Sequence, residues 1–205
     1  MADLSVDVRI AWAGTPLVAL SETVGAGEVL TVMGPSGSGK STLLDFVIGD
    51  LAPGFAAEGT VRLGGVDVTG WPPERRRIGL LYQDPLLFPH LSVGANLAFG
   101  MPGRRDRRGR VERALAEIGL EGTARRDPAT LSGGQAARVA LMRVLLSEPR
   151  ALLLDEPFSK LDAERRAAIR TLVFARARAA GVPVLLVTHD AADAEAAGGR
   201  VVRLG

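Results

Sequence analysis

Residues 34–41 read Gly34-Pro35-Ser36-Gly37-Ser38-Gly39-Lys40-Ser41, matching G-x-x-x-x-G-K-[ST]. Glycines at these spacings let the backbone curl until successive N–H groups converge, and a helix opening there adds partial positive charge. The result is a cradle for a di- or triphosphate. Lys40 supplies a compact cation on a flexible stem for the β- and γ-phosphates, the Ser41 hydroxyl suits Mg²⁺, and Thr42 follows beside them. Residues 29–33 are a short apolar stretch and residues 41–48 have helical spacing, the strand–loop–helix setting this pattern requires. Alone, the motif implies nucleoside-triphosphate binding, which kinases, GTPases, helicases and transport ATPases share.

A second motif, Leu152-Leu153-Leu154-Asp155-Glu156-Pro157, reads as a buried strand ending in two carboxylates. In a parallel sheet the carboxyl ends of the strands face the ligand crevice, so both acids are expected beside the phosphate loop. Asp155 would hold Mg²⁺ through water, and Glu156 would polarise or position the attacking water.

With these two in place, further motifs carry a family resemblance. Leu131-Ser132-Gly133-Gly134-Gln135 resembles the signature of ABC ATPases, and Gln83 at a strand end resembles their Q-loop. Ser159-Lys160-Leu161-Asp162 resembles the D-loop, and Thr188-His189-Asp190 after an apolar strand resembles the switch histidine. The order of these motifs is the family's order, and they span nearly the whole chain. The resemblance implies an α/β fold: a P-loop NTPase core of ABC type, that is, a RecA-like mixed sheet with an antiparallel β subdomain, plus a helical subdomain near residues 85–150. It also implies one ATPase domain over 1–205, without the regulatory C-terminal domain of many importer ATPases. ATP and Mg²⁺ are the implied ligands. Gln83 would contact Mg²⁺ and water, and His189 the γ-phosphate and the water near Glu156.

The signature also makes physical sense as half of a site. Ser132 and the N–H groups of Gly133 and Gly134 would open a helix over 133–146, a second place suited to a γ-phosphate. The chain's own phosphate loop is already complete, so this cradle needs another nucleotide. The family's geometry is a head-to-tail homodimer in the ATP-bound state, in which Ser132, Gly133, Gly134 and Gln135 reach the partner's ATP and Asp162 acts across the interface. DEPFSKLD over 155–162 looks like importer ATPases, and QDPLLFPHLSVGANL and DPATLSGGQAARVAL carry a likeness to the YnjD-like branch, near the thiamine, iron and polyamine importer subunits. Three partners or settings follow: a membrane permease docking near Leu86–Leu91, a solute-binding protein, and the inner face of the cell membrane. Ala136-Ala137 after the signature and Lys160 in the D-loop depart from the commoner residues. An exporter or lipoprotein-releasing ATPase would share every catalytic motif, whereas a soluble ABC protein acting on DNA or ribosomes would normally add tandem domains, a coiled coil or zinc cysteines.

Single residues carry less. Trp12 lies where an aromatic could stack on adenine, but a Trp packed at a strand edge fits equally well. His90 reads as a surface or packing residue. Arg104, Arg105, Arg107, Arg108 and Arg110 read as a solvated loop leading into a helix from about residue 111, and no aromatic is interleaved as single-stranded nucleic acid would want.

The elements that must position these groups alternate between strand and helix. Strand patterns occur at 4–11, 29–33, 78–83, 151–154, 184–187 and 200–204, a hairpin at 60–68, and helical spacing at 111–118, 133–146 and 163–180. The 205 residues carry a formal net charge of +2, which gives weak steering and no call for nucleic acid as a partner. No apolar run approaches the roughly 18 residues of a membrane span, no signal-peptide pattern opens the chain, and Cys is absent. These features fit a cytoplasmic protein. Of 25 basic residues only Lys40 and Lys160 are lysine, so lysine is expected where its chemistry is required.

Overall fold

Alternation over Leu4–Trp12 (β1) buries Leu4, Val6, Val8 and Ile10 on one face while Asp7 and Arg9 meet water. The computed structural model describes residues 3–103 and 105–204, and only the backbone of Ala163 and Glu164. Arg104, the first of the arginine run, therefore lies outside the described residues. Strand β1 turns back into Thr15–Val24 (β2), an element absent from the sequence expectations. The two-residue turn has φ of 47° at Ala13 and 81° at Gly14, the left-handed pair that matches the twist of a hairpin. Val29–Met33 (β3) is buried throughout and leads through the phosphate loop into Lys40–Ile48 (α1). Phe55–Leu63 (β4) starts earlier than expected, pairs antiparallel with β1, and continues into the short Val66–Asp67 (β5). The antiparallel sheet has the order β2-β1-β4-β5.

Pro73–Arg76 (α2) precedes Ile78–Leu81 (β6), which ends two residues before Gln83. Three helices then follow: Val93–Ala98 (α3), Arg107–Glu117 (α4) and Gly133–Leu146 (α5). Helix α4 begins earlier than expected, so Arg107, Arg108 and Arg110 belong to it and not to a loop. Arg107 donates to the carbonyls of Met101 and Gly103, and Arg110 pairs with Glu148 at 2.7 Å. Ala151–Asp155 (β7), Ala163–Ala180 (α6), Val184–Val187 (β8), Ala191–Ala197 (α7) and Arg200–Arg203 (β9) complete the chain.

The second sheet is parallel, with the order β6-β7-β8-β3-β9. Both of its faces are covered, so its central strands are apolar without alternation. Leu152 and Leu154 face the helices α3–α6, whereas Ala151 and Leu153 face α1 and the antiparallel sheet. Val32, Val187 and Asp155 lie level in adjacent strands, which brings the loops after β3, β7 and β8 to one edge.

One buried cation fastens the far end of the phosphate-loop helix. Arg76, 3% exposed, donates to the carbonyls of Phe46 and Val47 in the last turn of α1 and to those of Thr69 and Trp71. Carbonyls at a helix C-terminus have no partner within the helix and carry partial negative charge, so a planar, many-donor guanidinium suits them. Arg76→Lys keeps the charge but loses the fork. It is expected to lower unfolding free energy by about 1–3 kcal/mol, read as an earlier midpoint in urea.

Candidate active site

The phosphate loop curls tightly: the Ser38 N–H donates to the Pro35 carbonyl at 3.3 Å and the Leu43 N–H to the Gly39 carbonyl at 2.8 Å. Gly39 requires its residue type twice. Its φ is 82°, and a Cβ there would lie 2.9 Å from Leu17 and 3.1 Å from Val18 of β2. Lys40 Nζ donates to the carbonyls of Gly34 and Pro35, at 2.8 and 2.7 Å, so the ammonium lies against the loop it serves.

Asp155 ends β7 and accepts a 2.6 Å hydrogen bond from the Ser41 hydroxyl, which joins the acidic strand to the first turn of α1. Burial pushes the Asp155 carboxyl above the usual range, and the neighbouring Glu156 adds to this. The Ser41 hydrogen bond and Lys40 oppose it. Glu156 leaves the strand with φ of 47°, in the left-handed region that a non-glycine residue rarely occupies. That turn directs its buried carboxylate towards β8. Oε1 accepts from the His189 N–H at 2.9 Å and lies 2.6 Å from His189 Nδ1, while Oε2 accepts from the Thr188 hydroxyl at 3.2 Å.

Thr188 and Asp193 extend this arrangement inward, and sequence reasoning missed both as members of the site. Thr188 Oγ1 accepts from the Asp190 N–H and lies 3.4 Å from the Asp193 carboxylate, which Arg170 holds at 3.0 Å. Burial, then Asp190, raises the Asp193 carboxyl above its usual range. The one hydroxyl proton of Thr188 faces two carboxylates, a constraint visible only in three dimensions.

These elements enclose a cleft of about 560 Å³. Of the residues singled out in the sequence, it gathers Trp12, Ser36, Gly37, Gly39, Lys40, Ser41, Thr42, Gln83, Asp155, Glu156 and His189, and it adds Leu17 and Phe55. Phe55 and Trp12 face each other across β4 and β1 with ring centroids 4.5 Å apart. Trp12 is half exposed and lines the cleft beside Phe55. Only the early start of β4 would have revealed Phe55.

The signature residues and Asp162 do not line this cleft. Ser132 caps α5 and Gln135 reaches back to the Ser132 N–H at 2.9 Å, a capping box. Asp162 caps α6 by accepting from the Arg165 N–H at 3.0 Å. Ser132 and Gly133 are exposed at the mouth of their helix.

A parallel sheet carrying a phosphate loop after β3 and, two strands away, a carboxylate-tipped β7 at the same edge defines a P-loop nucleoside triphosphatase. The chain belongs to the ABC transporter family, whose model, described as "ABC transporter", matches residues 17–159. Over 177 residues it is 50% identical to the "Uncharacterized ABC transporter ATP-binding protein YnjD" of Escherichia coli (strain K12), covering 85% of this chain and 82% of that protein. It is 42% identical over 204 residues to the "Aliphatic sulfonates import ATP-binding protein SsuB 2" of Burkholderia cenocepacia (strain HI2424), covering 100% of this chain and 73% of the other. A solved structure, "Structure of ATP binding subunit of ABC transporter", superposes with a TM-score of 0.85 at 26% identity, covering 98% of this chain and 85% of that one. The chain is thus an ATP-binding subunit of an ABC transporter, and its enzymatic activity is ATP hydrolysis.

The contact between Glu156 and His189 has a measurable consequence. The hydrogen bond to Glu156, and then its charge, raise the His189 imidazole above its ordinary value, so the imidazolium–carboxylate contact persists above pH ~6.5 and is lost as pH rises through the raised value. Glu156→Gln removes the charge and is expected to move the His189 titration midpoint downward, followed by NMR of the ring protons.

Proposed function

We propose that this chain is the importer-type ATPase of its transporter, working with Mg²⁺ as a head-to-tail homodimer on the cytoplasmic face of the membrane. The observation that carries the dimer is the presence of two anion cradles in one chain. One is complete in the cleft, and the other is the capped, exposed N-terminus of α5 outside it. The outer cradle would receive the γ-phosphate of a partner's ATP, with Asp162 beside that interface.

In the proposed reaction the loop N–H groups and Lys40 bind the phosphates, and Trp12, backed by Phe55, stacks on the base. The Glu156 carboxylate, held by His189 and Thr188, polarises the attacking water, and His189 contacts the γ-phosphate. The donor set fits Mg²⁺. Ser41 and Asp155 present hard oxygens in direct contact, Gln83 adds another, and the described residues hold no cluster of three His, Cys, Asp or Glu that would favour a cation caged wholly by protein. Ser41 and Gln83 would ligate it, with Asp155 acting through water. When bound, Mg²⁺ would neutralise charge on the β- and γ-phosphates.

Import is favoured by the name of the sulfonate-importing relative, and the partners proposed with it are integral-membrane permease subunits and a solute-binding protein. The permease surface would be the segment after Gln83, where Leu86 is exposed and Phe88 lies against Phe99 at 4.4 Å with Arg143 4.8 Å from its ring. Among the described residues no helix is long and apolar enough to cross a membrane; the proposed attachment is peripheral, through the permease. The helices at about 85–150 would form a subdomain of a single ATPase domain.

Two variants test the reading. Glu156→Gln is expected to bind ATP but accumulate as an ATP-bound dimer in sedimentation, and wild-type hydrolysis by it would refute the role given to Glu156. Lys40→Ala is expected to lose nucleotide binding in calorimetry; an unchanged affinity would refute the phosphate-loop assignment.

A further inference from the structure

We infer that Lys160 is a positioning residue. By pairing with Asp84 it holds the turn that carries Glu156 in register with the segment after β6 that carries Gln83. The inference rests on the roles proposed above for Glu156 and Gln83.

Three observations meet at this residue. The Lys160 ammonium forms an ion pair with the Asp84 carboxylate, and Asp84 directly follows Gln83. The backbone carbonyl of Lys160 lies 3.2 Å from where a Cβ on Gly134 would be, so the first turn of α5 packs on the same residue. Gln83, Ser159 and Lys160 also line a crevice of about 10 Å³. A space that small holds about one water, so the two segments are nearly in contact and a shift of one is passed to the other.

The turn itself is rigid. The Ser159 N–H and hydroxyl both donate to the Glu156 carbonyl, at 3.2 and 2.9 Å, and the Leu161 N–H donates to Phe158 at 3.1 Å. Phe158 and Leu161 are buried on either side of the exposed Lys160. Residues 156–161 therefore move as a unit, and the ammonium is the side chain of that unit that reaches the segment after β6.

The pair is a poor stability device. The side chains of Lys160 and Asp84 are 37% and 77% exposed, and ion pairs so exposed contribute little to stability. Such weakness suits a contact that holds geometry yet yields when the site turns over. The choice of lysine agrees: a flexible stem and single-point contact tolerate small displacements that a bidentate guanidinium would resist.

The test is a double-mutant cycle on steady-state ATP hydrolysis by the full chain, with Lys160→Ala, Asp84→Ala, both together, and the swap Lys160→Asp with Asp84→Lys. Each single variant is expected to lower kcat about three- to fivefold, with KM for ATP within about twofold and the thermal midpoint unmoved. The double is expected to be no slower than either single, and the swap to recover to within about twofold of wild type. Multiplying losses, a swap as slow as the singles, or single variants within about 1.5-fold of wild type would overturn the ion pair's role. Glu156→Gln is assayed alongside. If it is inactive, multiplying losses overturn this inference alone; if it still hydrolyses ATP, the role of Glu156 falls and this inference with it.

Discussion

The hydrogen bond from Ser41 to Asp155, 2.6 Å long between residues 114 apart in sequence, is the junction on which the site depends. It ties the helix that opens under the phosphates to the strand that ends in carboxylates. Because β7, β8 and β3 are parallel and level, fixing that one point also sets Thr188 and His189, which leave β8 at the same edge. Antiparallel neighbours would have sent one of these loops to the opposite edge. At its other end α1 is fastened by Arg76, so the phosphate-loop helix is held at both termini and has little freedom to drift.

Buried charge is concentrated at this edge. Asp155 and Glu156 at the edge of the sheet, and Asp193 from α7 beside it, are all buried, an arrangement that opposes burial unless each has partners. Ser41, His189, Thr188 and Arg170 supply them. The left-handed backbone at Glu156 is a further cost, of about 1–3 kcal/mol, tolerated because β7 on one side and the 156–161 turn on the other leave the residue no relaxed alternative. The Glu156 carboxylate is thus held in place by backbone strain and paired acids, not by flexibility.

Much of this was legible in the residues. The phosphate loop, the Asp155-Glu156 strand end and the bounds of α5 and α6 follow from pattern, since periodicity and capping residues coincide there. Strand β2 was not, because its turn uses Ala13 in a left-handed conformation where Asn or Gly would have signalled a hairpin. Helix α7 is largely alanine, so it has no apolar stripe to read, and it is placed by the Asp190 cap and by Arg166 and Arg170 reaching across from α6. The start of α4 inside an arginine run escaped for the reverse reason: charge masked a helix whose Arg107 bonds the carbonyls of the preceding turn and whose Arg110 pairs with the distant Glu148. The Thr188–Asp193–Arg170 chain needs tertiary contacts and has no sequence pattern of its own.

The distribution of side-chain amines has a consequence for covalent chemistry. A chain with 25 basic residues offers acylating reagents, acetyl donors and lysine-directed proteases only Lys40 and Lys160, apart from its N-terminal amine. The first is engaged by two loop carbonyls and the second is open to solvent beside Asp84. Within these 205 residues lysine modification can therefore fall only in the phosphate loop or on the turn that follows Glu156.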